Sequence, residues 1–332
     1  MRYFLLLTIS VLFINCCGKD DAAIREVNKL IDRQQYDAAH AIIEKSLQEK
    51  PNDPKFLRLQ IRYLLATDQA VLSALVYQKL LEVSPRDTIL LDAIGDKNTE
   101  VRLTAVRAFG EIKTPNTIVA LTRAANDADK SVRQAVLHSA IKLGDREMLP
   151  VLNKLLRDPD WFVRGNAVLA LGKIGDTNSV GELFSLITDS DPYVRKSTKL
   201  SLQRLATPEN LPAYQAFLTS DVPANRALAA LILASNNDPA AIPVLVAELD
   251  NPANPDLSEI IQVLAKTKAP DALPALRRLA ADANSDVKIN AILALGEYKD
   301  KASRELLQKI QKDPNATREV KTAVTVALEK LR

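Results

Sequence analysis

The stretch DPDWFVRGNAVLALGKIG, Asp158 to Gly175, decides the fold. Asp160 stands just before an apolar-periodic run, and its carboxylate can accept an orphan amide of a first helical turn. Val163, Ala167, Ala170, Leu171 and Ile174 recur at helical spacing and form one apolar stripe. Gly172 and Gly175 mark the expected end of that helix, and Gly144 and Gly296 serve similarly in other copies. A second helix follows, with Leu183, Leu186 and Ile187 expected to face inward. The spacing predicts a hairpin of two helices, each of about 10 to 12 residues. One such hairpin cannot bury its faces alone, so it must stack on copies of itself.

The copies are present. Steps of 31 residues from Val101 land on Val132, Val163, Val194, Asn225, Asp256 and Val287. The next residue reads Arg102, Arg133, Arg164, Arg195, Arg226, Leu257 and Lys288. Ahead of the anchor stand Asp96, Asp127, Asp158, Asp189, Ser220, Asn251 and Asp282. Behind it stand Leu121, Leu152, Leu183, Tyr214, Leu245, Leu276 and Leu307. A half copy closes the chain after a two-residue insertion, with Val320 and Lys321 at the anchor pair. Pro150, Pro212, Pro243 and Pro274 share one place in the first turn of the second helix, where a missing N–H does no harm. The Asp and Arg columns run in phase and predict a ladder between successive turns, which adds modest stability per rung where it is exposed. Copies five and six break the pattern at Asn225, Asp256 and Leu257, so irregular packing or a bend is expected there.

The unit Asp-x-x-x-x-Val-Arg-x-x-Ala-x-x-Ala-Leu-Gly, best kept up to Gly175, resembles HEAT repeats, in the short bacterial form also seen in phycobilin lyases. The resemblance covers 88–332 and implies a right-handed α-solenoid. It says little about activity, because the motif is structural. Ahead of it, Ile24, Val27, Leu30 and Ile31 share a helix face, and Tyr36-Asp37-Ala38-Ala39 opens a second helix stopped by Pro51. The pattern returns at Ala70, Tyr77, Leu81 and Pro85. Residues 23–87 therefore resemble two tetratricopeptide repeats, whose period is about 34.

Composition narrows the function. Only 9 Gly in 332 residues argue against a turn-rich sandwich or barrel. Lys+Arg 44 against Asp+Glu 41 is too balanced for a nucleic-acid coat. Two His and two Cys exclude most zinc and disulfide frameworks. His40 and His138 have no metal-spaced neighbour, no Ser sits in a nucleophile elbow, and Gly172 to Gly175 is a helix end rather than a phosphate loop. No catalytic residue, metal or cofactor is expected.

The first residues read as an address. After Arg2, the apolar run Phe4 to Ile14 ends at Asn15-Cys16-Cys17-Gly18. A helix of that run spans about 16 Å, short of a ~30 Å hydrocarbon core. The run ending in Cys resembles a bacterial lipoprotein signal, which implies residues 1–15 as signal peptide, a lipidated Cys16 (alternatively Cys17) and a tether over 16–22. Asn15 or Cys16 precedes the modified residue, where that family usually has Gly, Ala or Ser. The resemblance implies export and a lipid anchor in the cell envelope, at the outer membrane first. It also removes nucleic acid as a natural partner.

Two surfaces are candidates for a partner. Arg123, Lys154, Arg278 and Lys309 share one place on the second helix of their copies, with Ser185, Ala216 and Ala247 between them. Such helices line the concave face of these arrays, so the row suits an acidic protein segment or an anionic envelope polymer. Trp161, Phe162 and Tyr193 cluster at two successive turns and can anchor a partner or staple copies together. The expected role is a protein-binding scaffold; an accessory lyase or chaperone, and a purely structural spacer, are the alternatives. The address has a direct check. Intact mass of the native protein should show a chain that starts at Cys16 and carries added acyl groups; a retained signal, or an unmodified start beyond Gly18, would refute it.

Overall fold

The computed structural model describes residues 18–174, 177–252 and 254–332. Cys16, Cys17, the apolar run before them and Gly175 lie outside the described residues. Every regular element among the described residues is an α-helix or a short 3-10 turn. The chain divides into two compact units, the division falling after Ile174. No described helix is long and apolar enough to cross a membrane.

The first unit opens with a helix over 18–32 (α1), followed by α2 (Tyr36–Glu49), α3 (Pro54–Ala66) and α4 (Ala70–Val83). Val27, Leu30, Ile31, Ala39, Ile43, Phe56 and Leu59 pack into one core between the first three. Asp53 caps α3 by accepting the Lys55 amide, and Pro54 supplies its fixed φ to the first turn. Then come α5 (Ile89–Ala93), α6 (Thr99–Phe109), α7 (Thr117–Ala124), α8 (Lys130–Leu143), α9 (Leu149–Leu155) and α10 (Trp161–Ile174). The helices α4, α6, α8 and α10 pack successively, each on the next.

That stacking gives α4 two roles. It closes a hairpin with α3 and also takes the place of a first helix, one copy ahead of the periodic array. Leu90 on α5 falls in the column of Leu121 and Leu152, and all three are fully buried. Its buried residues are Ser73, Ala74, Tyr77 and Leu80, while Val71, Leu72, Leu75 and Val83 stay about half exposed, so the two neighbours cover only part of this apolar helix.

The second unit holds α11 (Val180–Phe184), α12 (Pro192–Leu205), α13 (Leu211–Gln215), α14 (Pro223–Ser235), α15 (Ile242–Glu248) and α16 (Leu257–Thr267). It ends with α17 (Leu273–Leu279), α18 (Ser285–Glu297), α19 (Arg304–Lys312) and α20 (Arg318–Lys330). The pairs α16–α18 and α18–α20 pack closely, whereas α12 meets α14 only marginally. At the fifth copy, Ala227 to Ala234 of α14 are buried on every side. Lys199 of α12 donates to Asp256 and to Glu259 of α16, both at 2.8 Å, spanning the intervening copy. The departures expected at copies five and six thus appear as a sunken α14 beneath an ion pair.

Helix lengths differ from expectation. First helices run 11 to 14 residues, but second helices only 5 to 9. Several begin as a 3-10 turn, as at Arg146–Met148, Pro239–Ala241 and Pro270–Ala272. Pro150, Pro212, Pro243 and Pro274 stand in the first helical turn and stop the α-helix from extending backwards. Leu186 and Ile187 fall beyond α11 and are half-buried, while Phe184 is buried instead. Phe184 stacks on Phe217 at 3.9 Å and meets Tyr214 edge-on at 5.8 Å.

Glycine marks fewer helix ends than expected. Gly172 and Gly296 lie inside α10 and α18, and a Cβ at Gly296 would stand 2.8 Å from Ala327 Cα of α20. Gly144 does end α8 in the left-handed region at φ 61°, but Gln34, Asp68, Asn237, Lys268 and Lys299 take that conformation elsewhere. The buried leucine column yields a test. Leu183→Ala should lower the stability of the second unit by about 2–5 kcal/mol in chemical denaturation; a loss below about 1 kcal/mol would place Leu183 outside the core.

Candidate functional site

Five of the turns ahead of a first helix are built from two Asx residues, two places apart. The Asp158 carboxylate accepts the Asp160 amide at 2.9 Å, and the Asp160 carboxylate accepts the Phe162 amide at 3.0 Å. The same pair of bonds is made by Asp96 and Asn98, by Asp127 and Asp129, by Asp189 and Asp191, and by Asp282 and Asn284. The arginine one turn into the helix then reaches back. Arg102, Arg133, Arg164, Arg195 and Arg226 each donate through Nη1 to the backbone carbonyl six residues earlier.

Two rungs join successive copies inside the first unit. Arg102 donates to both oxygens of Asp127 at 2.7 and 3.0 Å. Arg133 does the same to Asp158 at 2.6 and 2.9 Å. Both are enclosed: the Arg133 and Asp158 side chains are 10% and 3% exposed. Burial pushes the Asp127 carboxyl up, but the Arg102 hydrogen bond, the Asp129 amide and the charges of Arg102 and Arg133 outweigh it and hold it below its ordinary value. The Asp158 carboxylate raises the Arg133 guanidinium further above its own. In the second unit the rungs change chemistry. Among the described residues Arg195 bonds only to the carbonyls of Asp189 and Ser190, and Ser220 offers it no carboxylate. Arg226 stands 3.9 Å from Glu248, while Asn251, at the periodic place, bonds to that same Glu248.

The sixth turn was misplaced by strict counting. Asn254, not Asn251, accepts the Asp256 amide, at 2.9 Å. The signal was present: Asn254-Pro255-Asp256 repeats Asp158-Pro159-Asp160 three residues late.

The basic row behaves differently from the rungs. Arg123 and Lys154 are exposed at equivalent places on the adjacent helices α7 and α9, and neither pairs with a described residue. Lys309 is likewise exposed. Arg278, by contrast, donates to Leu249 O at 3.0 Å and to Asp250 at 2.5 Å. Ser185, Ala216 and Ala247 are exposed between them. Trp161 and Phe162 are about half exposed at the start of α10, with rings edge-on at 5.6 Å. Tyr193 is half-buried in the first turn of α12. His40 stacks on Tyr63 at 5.1 Å and stands 3.6 Å from Glu44. No group of three His, Cys, Asp or Glu among the described residues could hold a metal ion.

A stack of short helical hairpins, joined by reciprocal Asp–Arg turns, defines an α-solenoid repeat protein. The family model for HEAT repeats matches residues 87–172, 120–203, 149–224, 180–259 and 254–329, and the chain belongs to that family. No curated relative matches the sequence. Among solved structures, Kap121p is similar with a TM-score of 0.57 at 15% identity, over 87% of this chain and 37% of that one. Human deoxyhypusine hydroxylase gives 0.34 at 21% identity, over 78% and 98%. The CpcE–CpcF phycocyanin lyase of Nostoc sp. PCC7120 gives 0.33 at 18%, over 74% and 94%. At these identities the likeness shows the fold alone.

The enclosed rungs make a quantitative prediction. Arg133→Ala and Asp158→Ala should each cost about 3–5 kcal/mol, because each strands a buried charge, and the double variant should cost less than their sum. Arg195→Ala should cost only about 0.5–1.5 kcal/mol. For Asp127 the sign follows from its lowered pKa: its contribution is complete above the ordinary carboxylate value of about 4 and is lost as pH falls below it. Urea denaturation from pH 7 to 3 should show that loss in the parent and a shallower one in Asp127→Asn.

Proposed function

We propose that the chain is a non-catalytic protein-binding scaffold, held by lipid at Cys16 or Cys17 in a bacterial cell envelope, with tetratricopeptide-like hairpins ahead of its HEAT repeats. One observation carries this reading. Arg102 and Arg133 are occupied with Asp127 and Asp158, while Arg123 and Lys154 recur in phase, exposed and without an ion pair among the described residues. Two cations held at a fixed spacing on adjacent helices suit a segment with matching acidic groups, and complementarity of this kind sets specificity and on-rate. Burial does not require them there, since exposed charges contribute little to stability. The family supports the scaffold role, because stacked repeats offer a continuous surface larger than any single hairpin.

A photo-crosslinking residue at position 154, in cells that carry the native envelope, should capture a discrete partner; the same residue at Glu100 should not. Arg123→Glu with Lys154→Glu should abolish that crosslink and leave the melting temperature unchanged. Capture that is undiminished by the double reversal would remove this surface, and no capture from either position would favour the spacer.

A further inference from the structure

The rungs show what the turn carboxylate binds when its place is filled. At Asp127 and Asp158 it is a guanidinium from 25 residues earlier, on both oxygens. Asp96 is the same residue of the same turn, and its Oδ1 accepts the Asn98 amide as the others do. Its rung is vacant. Twenty-five residues earlier stands Val71, and the residue four places past the start cap of α4 is Ser73. Neither carries a charge. Ser73 is buried with a hydroxyl that finds no hydrogen-bond partner. Arg123 crosses Gly95 next door, yet makes no ion pair with Asp96.

The Asp96 side chain is half-buried. It lines a groove of about 480 Å³ in the first unit, between α1 and α3 on one side and α5 with its following turn on the other. Leu65, Ala66, Ile89 and Ala93 give the groove apolar walls. Arg62 lies at its edge already committed to Asp32, at 2.7 Å, and to Asn28. Asp92 on the lining accepts the Thr88 hydroxyl at 2.9 Å, so Asp96 and Lys97 are left there without a side-chain partner among the described residues. A groove with apolar residues on its walls and a carboxylate on its lining matches one natural side chain in particular. Arginine has a stem that buries against apolar walls and a planar fork that bonds both carboxylate oxygens.

We propose that this groove binds an arginine side chain of a partner polypeptide, its guanidinium seated on Asp96 where the internal arginine of the ladder is missing and its stem between Leu65 and Ile89. The proposal rests on the scaffold reading and adds a second surface of opposite chemistry to the basic row. Lysine is a weaker fit, because its ammonium is a point charge and cannot fork.

The probe is N-acetyl-Leu-Arg-Leu-amide, titrated into the whole chain and followed by methyl NMR. Saturable shifts at Leu65, Ile89 and Ala93 are expected. Replacing arginine by citrulline, which keeps the shape and removes the charge, should weaken binding by about tenfold. Asp96→Asn should give the same loss with an unchanged melting temperature, since Asn still accepts the Asn98 amide. Lys154→Glu should leave the titration as it was. Equal binding of the citrulline peptide, equal binding by Asp96→Asn, shifts elsewhere, or no saturation at millimolar peptide would each overturn the proposal. If position 154 still captures a partner in the envelope while the tripeptide fails, the groove reading alone falls.

Discussion

A guanidinium buried at a turn sets the terms for the rest of this fold. It cannot lose its charge in a protein and must be given acceptors wherever it is enclosed. Arg133 finds four: two oxygens of Asp158 in the next copy, and the carbonyls of Asp127 and Ala128 in its own turn. Those carbonyls belong to a turn that Asp127 and Asp129 fold around their own side chains. One arginine therefore ties the local turn to the register between copies. A hairpin displaced along its neighbour would leave the charge enclosed and unpaired, which costs far more than a lost surface contact. Leucine columns supply most of the burial, but apolar contacts tolerate sliding, and the rungs do not.

Where a rung is altered the packing changes with it. Ser220 replaces the aspartate at the fifth turn, and among the described residues Arg195 keeps only its backbone bonds. There α12 and α14 part, α14 sinks until eight successive residues are buried, and Lys199 bridges to Asp256 and Glu259 above it. One copy later the turn shifts by three residues to Asn254, and α16 is shorter than α12 to match. Glu248, itself nearly buried, gathers Asn251, Asn254 and Arg226 around one carboxylate. The irregular copies are thus satisfied by a different set of polar groups.

The repeat architecture was legible because a 31-residue step returns Val, Arg, Asp and Leu together, and only a stacked hairpin needs all four at fixed offsets. Helix boundaries were less so. The four prolines stand in the first turn as read, but the second helices are short with or without one: α5 and α11, which have none, run 5 residues like α13. Glycines at helix ends also misled: Gly296 is needed where α18 approaches α20, while Lys268 and Lys299 tolerate the left-handed conformation at ends exposed to water. The double duty of α4 was hidden, since its sequence matches neither repeat motif well and only packing reveals both neighbours. Of the basic row, sequence gave phase and exposure, but no offset of single residues shows that Asp250 reaches back to Arg278.

Repetition makes each copy a control for the others. A carboxylate at the start of a helix accepts amide hydrogens in nearly any protein, and by itself says nothing about ligands. Here the same carboxylate appears several times in one chain, in turns of the same build, and two neighbours show it gripping a fork of N–H donors. The turn at Asp96 carries the identical Asx bonds, so its shape does not depend on the arginine that its neighbours receive. A turn that forms without its rung is preorganised for one, and the ordering cost of the receptor has been met by folding. In an array of this kind, structural and binding sites share one chemistry. What separates them is whether the chain itself supplies the second half.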